Sequence, residues 1–258
     1  MHRLNDEIKK ISLKKILLLV IVSFSALLIL KVFNISIDSY WVNVIIILYF
    51  VYKLKNFKHE VSHDISNIFS DVSVKLILII VFANIFFSYG MLYLANFLLS
   101  IPIFKDFLNF DFISKVSFVL AGGYFSKLVL APISEELVFR GVFINKLRLF
   151  VPLSFAVLIS SLLFGSVHSY GSMFSAVVFA VCMTILYLKT ENIFVPMLAH
   201  FLNNLFAEII FALDFNNLIF NDWNVMLVIS ILAIISFFII ISFIFKEWNI
   251  LNNKEYIV

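Results

Sequence analysis

Long apolar runs separated by short polar stretches run the length of the chain. Runs of about 20 residues, enough for a helix to cross about 30 Å of hydrocarbon, occupy 14–34, 75–100 and 222–245. Shorter or interrupted runs occupy 40–54, 116–149, 152–169, 172–188 and 193–213. Together they predict an all-α, polytopic membrane helical bundle of about eight transmembrane helices. No internal repeat and no linker-like stretch interrupts the series, so 1–258 reads as a single membrane-embedded domain. One segment has a different pattern. Through 55–71, Phe57, Val61, Ile65, Ile68 and Phe69 recur at helical spacing among polar residues, which predicts an amphipathic helix lying on the membrane surface.

Composition agrees with membrane as the main solvent. Of the 258 residues 63% are hydrophobic and 14% charged, against about 45–50% apolar in a soluble domain, and the mean hydropathy is +1.08. A single cysteine, Cys182, rules out a disulfide framework. The net charge of +3 is small and its bases cluster at the ends of apolar runs, which fits a membrane surface and no nucleic acid. With the N-terminus cytoplasmic, the inside segments carry Arg3, Lys9, Lys10, Lys14 and Lys15, then Lys53, Lys55, Lys58 and Lys75, then Lys146, Arg148, Lys189, Lys246 and Lys254. The outside segments carry little beyond Lys31, Lys105 and Lys115, and the loops at 34–40, 168–172 and 213–222 have no Lys or Arg. The positive-inside rule therefore fits eight spans with both termini cytoplasmic. The basic start resembles that of a signal peptide, but its apolar run is too long and lacks a small-residue cleavage site before Asp38, so it is expected to remain as the first span. Heavy use of Phe, Ile, Asn and Lys points to an AT-rich bacterial gene and a plasma-membrane location.

Against this background the ionisable residues inside spans are informative, because each costs about 2.5–3.5 kcal/mol to insert. Glu135, Glu136 and Arg140 fall in the fourth run, His168 late in the fifth, and His200, Asn203, Asn204 and Glu208 in the seventh, with Lys127 and Asn84 besides. Glu136 and Arg140 are four apart, as are Phe164 and His168, and His200 and Asn204, so each pair shares a helical face. Runs four and five form a hairpin turning near Phe150 to Pro152, which puts Glu135 and His168 at similar depth and lets a carboxylate meet an imidazole. His200 and Asn204 start far enough beyond the Lys189 to Asn192 loop to reach the same depth. Pro132 is expected to kink the fourth span just before Ser134 and Glu135. Taken singly, Glu136 with Arg140 reads as a structural ion pair, Phe164 as packing, and either histidine as an interhelical contact. A glutamate pair, two histidines and an asparagine on three spans read together as a site.

His59, Glu60 and His63 spell H-E-x-x-H, the spacing at which two histidines bind zinc and a glutamate acts as base. His59 and His63 sit opposite the apolar stripe of 55–71, and a third ligand is represented only by Asp64 or Asp71. The favoured reading is a wet helix face.

The three spaced motifs resemble the CPBP membrane proteases, the family of CAAX processing and bacteriocin processing also called Abi. Its motifs E-E-x-x-x-R, F-x-x-x-H and H-x-x-x-N/D correspond here to Glu135, Glu136 and Arg140, to Phe164 and His168, and to His200 and Asn204, with Ala131-Pro132 and Gly141 flanking the first. The resemblance covers about 115–210. It implies an intramembrane endopeptidase in which Glu135 and His168 activate a water, His200 and Asn204 stabilise the oxyanion, and Glu136 and Arg140 support the first motif. The cofactor stays open: a metal-free mechanism is favoured because His200 and Asn204 are then donors, whereas zinc would be held by Glu135, His168 and His200. The partners implied are membrane lipid and a peptide or protein substrate entering from the cytoplasmic side, in peptide processing or bacteriocin immunity. The alternative is a non-proteolytic membrane scaffold for a sensor kinase or immunity receptor. Transport ranks lower, because paired broken helices are absent from the pattern. The oligomeric state has no signature.

Overall fold

The computed structural model describes residues 3–33, 40–101, 123–168 and 170–255. The first residues of the 116–149 run, residues 34–39 of the 34–40 loop, and Lys105 and Lys115 lie outside the described residues. Among those described there is no strand, and nearly every residue is helical. The helices are α1 (Arg3–Lys10), α2 (Leu13–Val32), α3 (Tyr40–Lys53), α4 (Lys58–Ser66), α5 (Ile68–Asp71) and α6 (Val74–Ser100). They continue with α7 (126–147), α8 (Leu153–Ser166), α9 (Tyr170–Thr190), α10 (Phe194–Leu213), α11 (Leu218–Asn221) and α12 (Trp223–Glu255). Five are long and apolar enough to cross a membrane, over Leu13–Leu30, Val74–Leu98, Ser172–Thr190, Phe194–Leu213 and Trp223–Asn252. Tyr40–Lys53 and Leu153–Ser166 are shorter apolar helices. The chain is an all-α, multi-pass membrane protein.

Helix α7 is irregular throughout. Its stretches Ser126–Leu130 and Leu137–Phe143 are π-helical and enclose the α-helical Ala131–Glu136, before Ile144–Leu147 completes the rod. The backbone stays right-handed helical at each junction, so Pro132 does not break the span. Proline removes an N–H and clashes with the carbonyl four residues back. The wider π-turn, in which the Ala131 N–H reaches Ser126 O, absorbs that defect.

Two apolar cores hold the bundle. One unites α6, α8, α9, α10 and α12 around Phe164, Met183, Leu186 and Phe243. The other unites α1, α2, α3, α7, the starts of α8 and α10 and the end of α9 around Ile8, Phe50, Ile144 and Tyr187. Close approach is secured by small residues, as in other membrane bundles. A Cβ on Gly165 would lie 2.3 Å from Val177 Cγ2 and 2.9 Å from the Met173 carbonyl, so α8 and α9 touch there. A Cβ on Gly141 would lie 2.8 Å from Ile8 Cγ2.

That second contact exposes an element the hydropathy pattern does not single out. The short polar α1 buries Leu4, Asn5 and Ile8. Asn145 donates to Tyr187 Oη at 2.7 Å, and the Tyr187 hydroxyl donates to Asn5 Oδ1.

The 55–71 segment is two helices, α4 and α5, parted at Asn67. The Asn67 side chain bonds back to the His63 ring, the local competition that makes Asn a poor helix-interior residue. Phe57, Val61 and Ile68 pack against the cores, while Ile65 and Phe69 remain exposed. Asn192 anchors this pair, donating to the Asp64 carbonyl at 2.7 Å and to Asp71 Oδ2 at 2.8 Å.

Replacing Gly165 with Val is expected to force α8 from α9 and to destabilise the protein by about 1–3 kcal/mol. Gly123→Ala, with nothing within 4 Å of the added carbon, is the neutral comparison, and thermal unfolding in detergent reads both.

Candidate active site

The α-helical turn Ala131–Glu136 presents Glu135 and Glu136 between the two π-turns. Glu136 is fully buried, and Arg140, one turn on, is 1% exposed. Arg140 Nη1 donates to Glu136 Oε1 at 3.1 Å, and its Nη2 donates to the Ala180 carbonyl on α9 at 3.1 Å. The guanidinium also lies over the Phe164 ring, 4.7 Å from its centroid, so hydrogen bonds at its two terminal nitrogens and a π face replace most of its hydration, while its Nε finds no hydrogen-bond partner among the described residues.

The same Glu136 oxygen accepts from His200 Nδ1 on α10 at 2.8 Å. A carboxylate only accepts, so the bond puts a proton on Nδ1 and leaves Nε2 as the working nitrogen. Nε2 lies 3.9 Å from Glu135 Oε2, beyond hydrogen-bond reach, and the Glu135 side chain is 30% exposed where Glu136 is not exposed at all. Adjacent glutamates thus have different surroundings: one is locked into an ion cluster, the other is partly exposed. Phe179 fixes the His200 ring edge-on at 4.9 Å.

His168 lies just beyond the end of α8 at Ser166, where the 152–169 run had placed it inside the span. Its ring lies 4.8 Å from that of Phe164, and its Nδ1 is 2.9 Å from the Phe164 carbonyl. A carbonyl only accepts, so this proton is fixed as well and Nε2 carries the lone pair. Phe164 is therefore more than filler: Arg140 and His168 both rest on its ring.

His168, His200, Asn203 and Asn204 line a cavity of about 420 Å³ that α6 closes with Asn84 and Ser88. Asn204 donates one amide N–H to the Lys127 carbonyl at 2.9 Å, which leaves its second N–H. Lys127 Nζ and Glu208 Oε1 pair at 3.4 Å, tying α7 to α10. The structure thus brings Glu135, Glu136, Arg140 and His200 into one contact network and sets His168 and Asn204 with His200 around one cavity. Across the hairpin, Arg140 and Phe139 both meet Phe164; the near partner of Glu135 is His200.

Among the described residues, no group of three His, Cys, Asp or Glu side chains is arranged to hold a metal ion. Glu135, His168 and His200 do not form such a set, and neither do His59, Glu60 and His63. His59 and His63 are exposed on α4; of the two candidate third ligands, Asp64 is buried beside His63 and Asp71 accepts from Asn192. The sequence also gives no notice of Phe179 or of the Ala180 carbonyl on α9. The one available sign is Thr184, a polar residue in an apolar run, whose hydroxyl donates to that carbonyl at 2.8 Å.

Removing Glu136 strands a buried guanidinium, which costs about 3–5 kcal/mol. Glu136→Ala is therefore expected to lower the unfolding temperature or the yield of folded protein sharply. Glu135→Gln should leave both near wild type, by fluorescence-detected size exclusion.

No curated protein and no solved structure matches the chain. Residues 116–206, about a third of it, match the family model Rce1-like, described as type II CAAX prenyl endopeptidase Rce1-like. That segment holds all three motifs, so the resemblance to the CPBP proteases is borne out: residues 116–206 are similar to the Rce1-like membrane proteases.

Proposed function

We propose that the protein is an intramembrane endopeptidase that hydrolyses a peptide bond with a water activated by Glu135 and His168. The observation that carries this reading is the 2.8 Å bond from His200 Nδ1 to buried Glu136. It turns the other histidine nitrogen toward Glu135 beside the cavity that holds His168 and Asn204. Held by the lone pair of His168 Nε2, the water loses a proton to Glu135 as its oxygen attacks the peptide carbonyl carbon. The carbonyl oxygen becomes an oxyanion, met by the second Asn204 N–H and by His200 Nε2–H when that ring carries both protons. Glu135 then returns its proton to the leaving nitrogen as the C–N bond breaks. Glu136 and Arg140 touch no substrate; they orient His200 and fix α7.

The reaction runs on side chains alone in this scheme, with the histidine Nδ1 atoms engaged by Glu136 and by the Phe164 carbonyl. The substrate is a peptide or a protein's terminal segment, reached from the cytoplasmic side of a bacterial plasma membrane. Peptide maturation or bacteriocin immunity is the setting favoured by the AT-rich composition and by the family resemblance.

Glu135→Gln is expected to reduce cleavage by at least about 10²–10⁴-fold, the usual worth of a general base, with folded protein retained. Comparative peptidomics of wild-type and variant cells reads the effect and identifies the substrate. Undiminished processing in Glu135→Gln, with His168→Ala and His200→Ala also complementing a deletion, overturns the enzyme in favour of a scaffold. Asn204→Ala is expected to lower kcat by about 10²–10³-fold with KM little changed, as loss of an oxyanion donor does, measured on the peptide so identified.

A further inference from the structure

A second and larger cavity, about 660 Å³, lies on the other side of the wall that carries the glutamates and His200. Residues of α1, α3, α4, α7 and α10 line it, and the lining is apolar except for Lys55 and Lys58. The wall is shared. Pro132, Ile133 and Leu137 face this cavity from α7 while Glu136 turns to His200, and Met197, Leu198 and Phe201 face it from α10 while His200, Asn203 and Asn204 line the other cavity.

We propose that this cavity binds one acyl chain of an anionic membrane phospholipid, with the lipid phosphate held by Lys55 and Lys58. The volume is within the about 300–1,000 Å³ of small-molecule sites. Walls without polar groups take hydrocarbon and give water nothing to bond. The two lysines choose the sign of the head group, since each lysine near a membrane surface attracts anionic lipid. They are exposed, on the loop before α4 and on its first residue, so a head group reaches them from the interface while the chain enters beside α4. A lipid carried by the substrate is a poorer fit. Its chain would be separated from the scissile bond by the α7–α10 wall, whereas a resident lipid presses on that wall from behind and holds Glu136 against His200. This effect on catalysis rests on the proposed protease reading; the binding does not.

The binding test uses the full-length protein, delipidated in detergent and titrated separately with phosphatidylglycerol and phosphatidylcholine, with bound lipid counted by native mass spectrometry. The expected result is one phosphatidylglycerol retained per chain and phosphatidylcholine bound roughly tenfold or more weakly, as two lysine contacts imply. Lys55→Gln with Lys58→Gln should remove that preference. Ile47→Trp, filling the cavity from α3, should remove retention of both lipids. Equal retention of both lipids by the wild type, or retention unaffected by Ile47→Trp, overturns the proposal and leaves only non-specific surface lipid. Displacement of the bound lipid by a farnesylated peptide but not by the unmodified peptide also overturns it, by assigning the cavity to the substrate. In vesicles, wild-type cleavage should rise severalfold when phosphatidylglycerol replaces phosphatidylcholine, and Ile47→Trp should abolish the rise. Retention without any cleavage in either vesicle sinks the protease reading and leaves the lipid site standing.

Discussion

A guanidinium placed among apolar helices has to be compensated on several sides at once, and the way Arg140 meets that demand organises the molecule. Its charge is balanced by Glu136 on its own helix, its second nitrogen is capped by the Ala180 carbonyl of α9, and its face rests on Phe164 of α8. The Glu136 oxygen that takes Arg140 also takes His200 of α10. Charge interactions strengthen as water is excluded, so this cluster ties four helices more firmly than the surrounding dispersion contacts alone. It also sets the tautomer of His200, which makes a structural ion pair and a working histidine parts of one arrangement.

The π-turns have a similar double effect. Each adds a residue to a turn, so the helical faces on either side of Ala131–Glu136 are rotated relative to a continuous α-helix. Glu135 and Glu136 sit on the short regular stretch between them. Neighbouring residues there project about 100° apart, and one side chain is buried in the ion cluster while its neighbour is partly exposed near His200 Nε2. The backbone irregularity that accommodates Pro132 thus lies directly against the residues whose placement matters most.

Much of this was legible before the structure. The apolar runs give the helices, and the four-residue spacings give the faces of Glu136 with Arg140 and of His200 with Asn204. What local spacing leaves open is rotation between helices. Depth alone paired Glu135 with His168, but the packing of α10 on α7 puts His200 between the two glutamates. The contribution of α9 was illegible for a different reason, because every residue has a carbonyl and only packing chooses which one is used. The amphipathic 55–71 pattern anticipated a surface helix but not its break at Asn67, where a side chain competes with the backbone. The H-E-x-x-H spacing shows the opposite case, a matching string for which no metal-holding group forms among the described residues.

The docking of α1 orders events in time. Its Ile8 rests on Gly141, and its Asn5 is bonded to Tyr187, 182 positions further along the chain. A ribosome delivers α1 first and α9 much later, so these contacts cannot form while the intervening helices are still being inserted. Until then the amphipathic α1 has only the membrane surface on which to lay its apolar face. Its seating is therefore a late step of biogenesis, and the candidate site it buttresses at Gly141 is completed only when nearly the whole bundle is in place. Under the proposed protease reading, a chain assembled in this order is silent while it emerges beside other unfinished membrane chains.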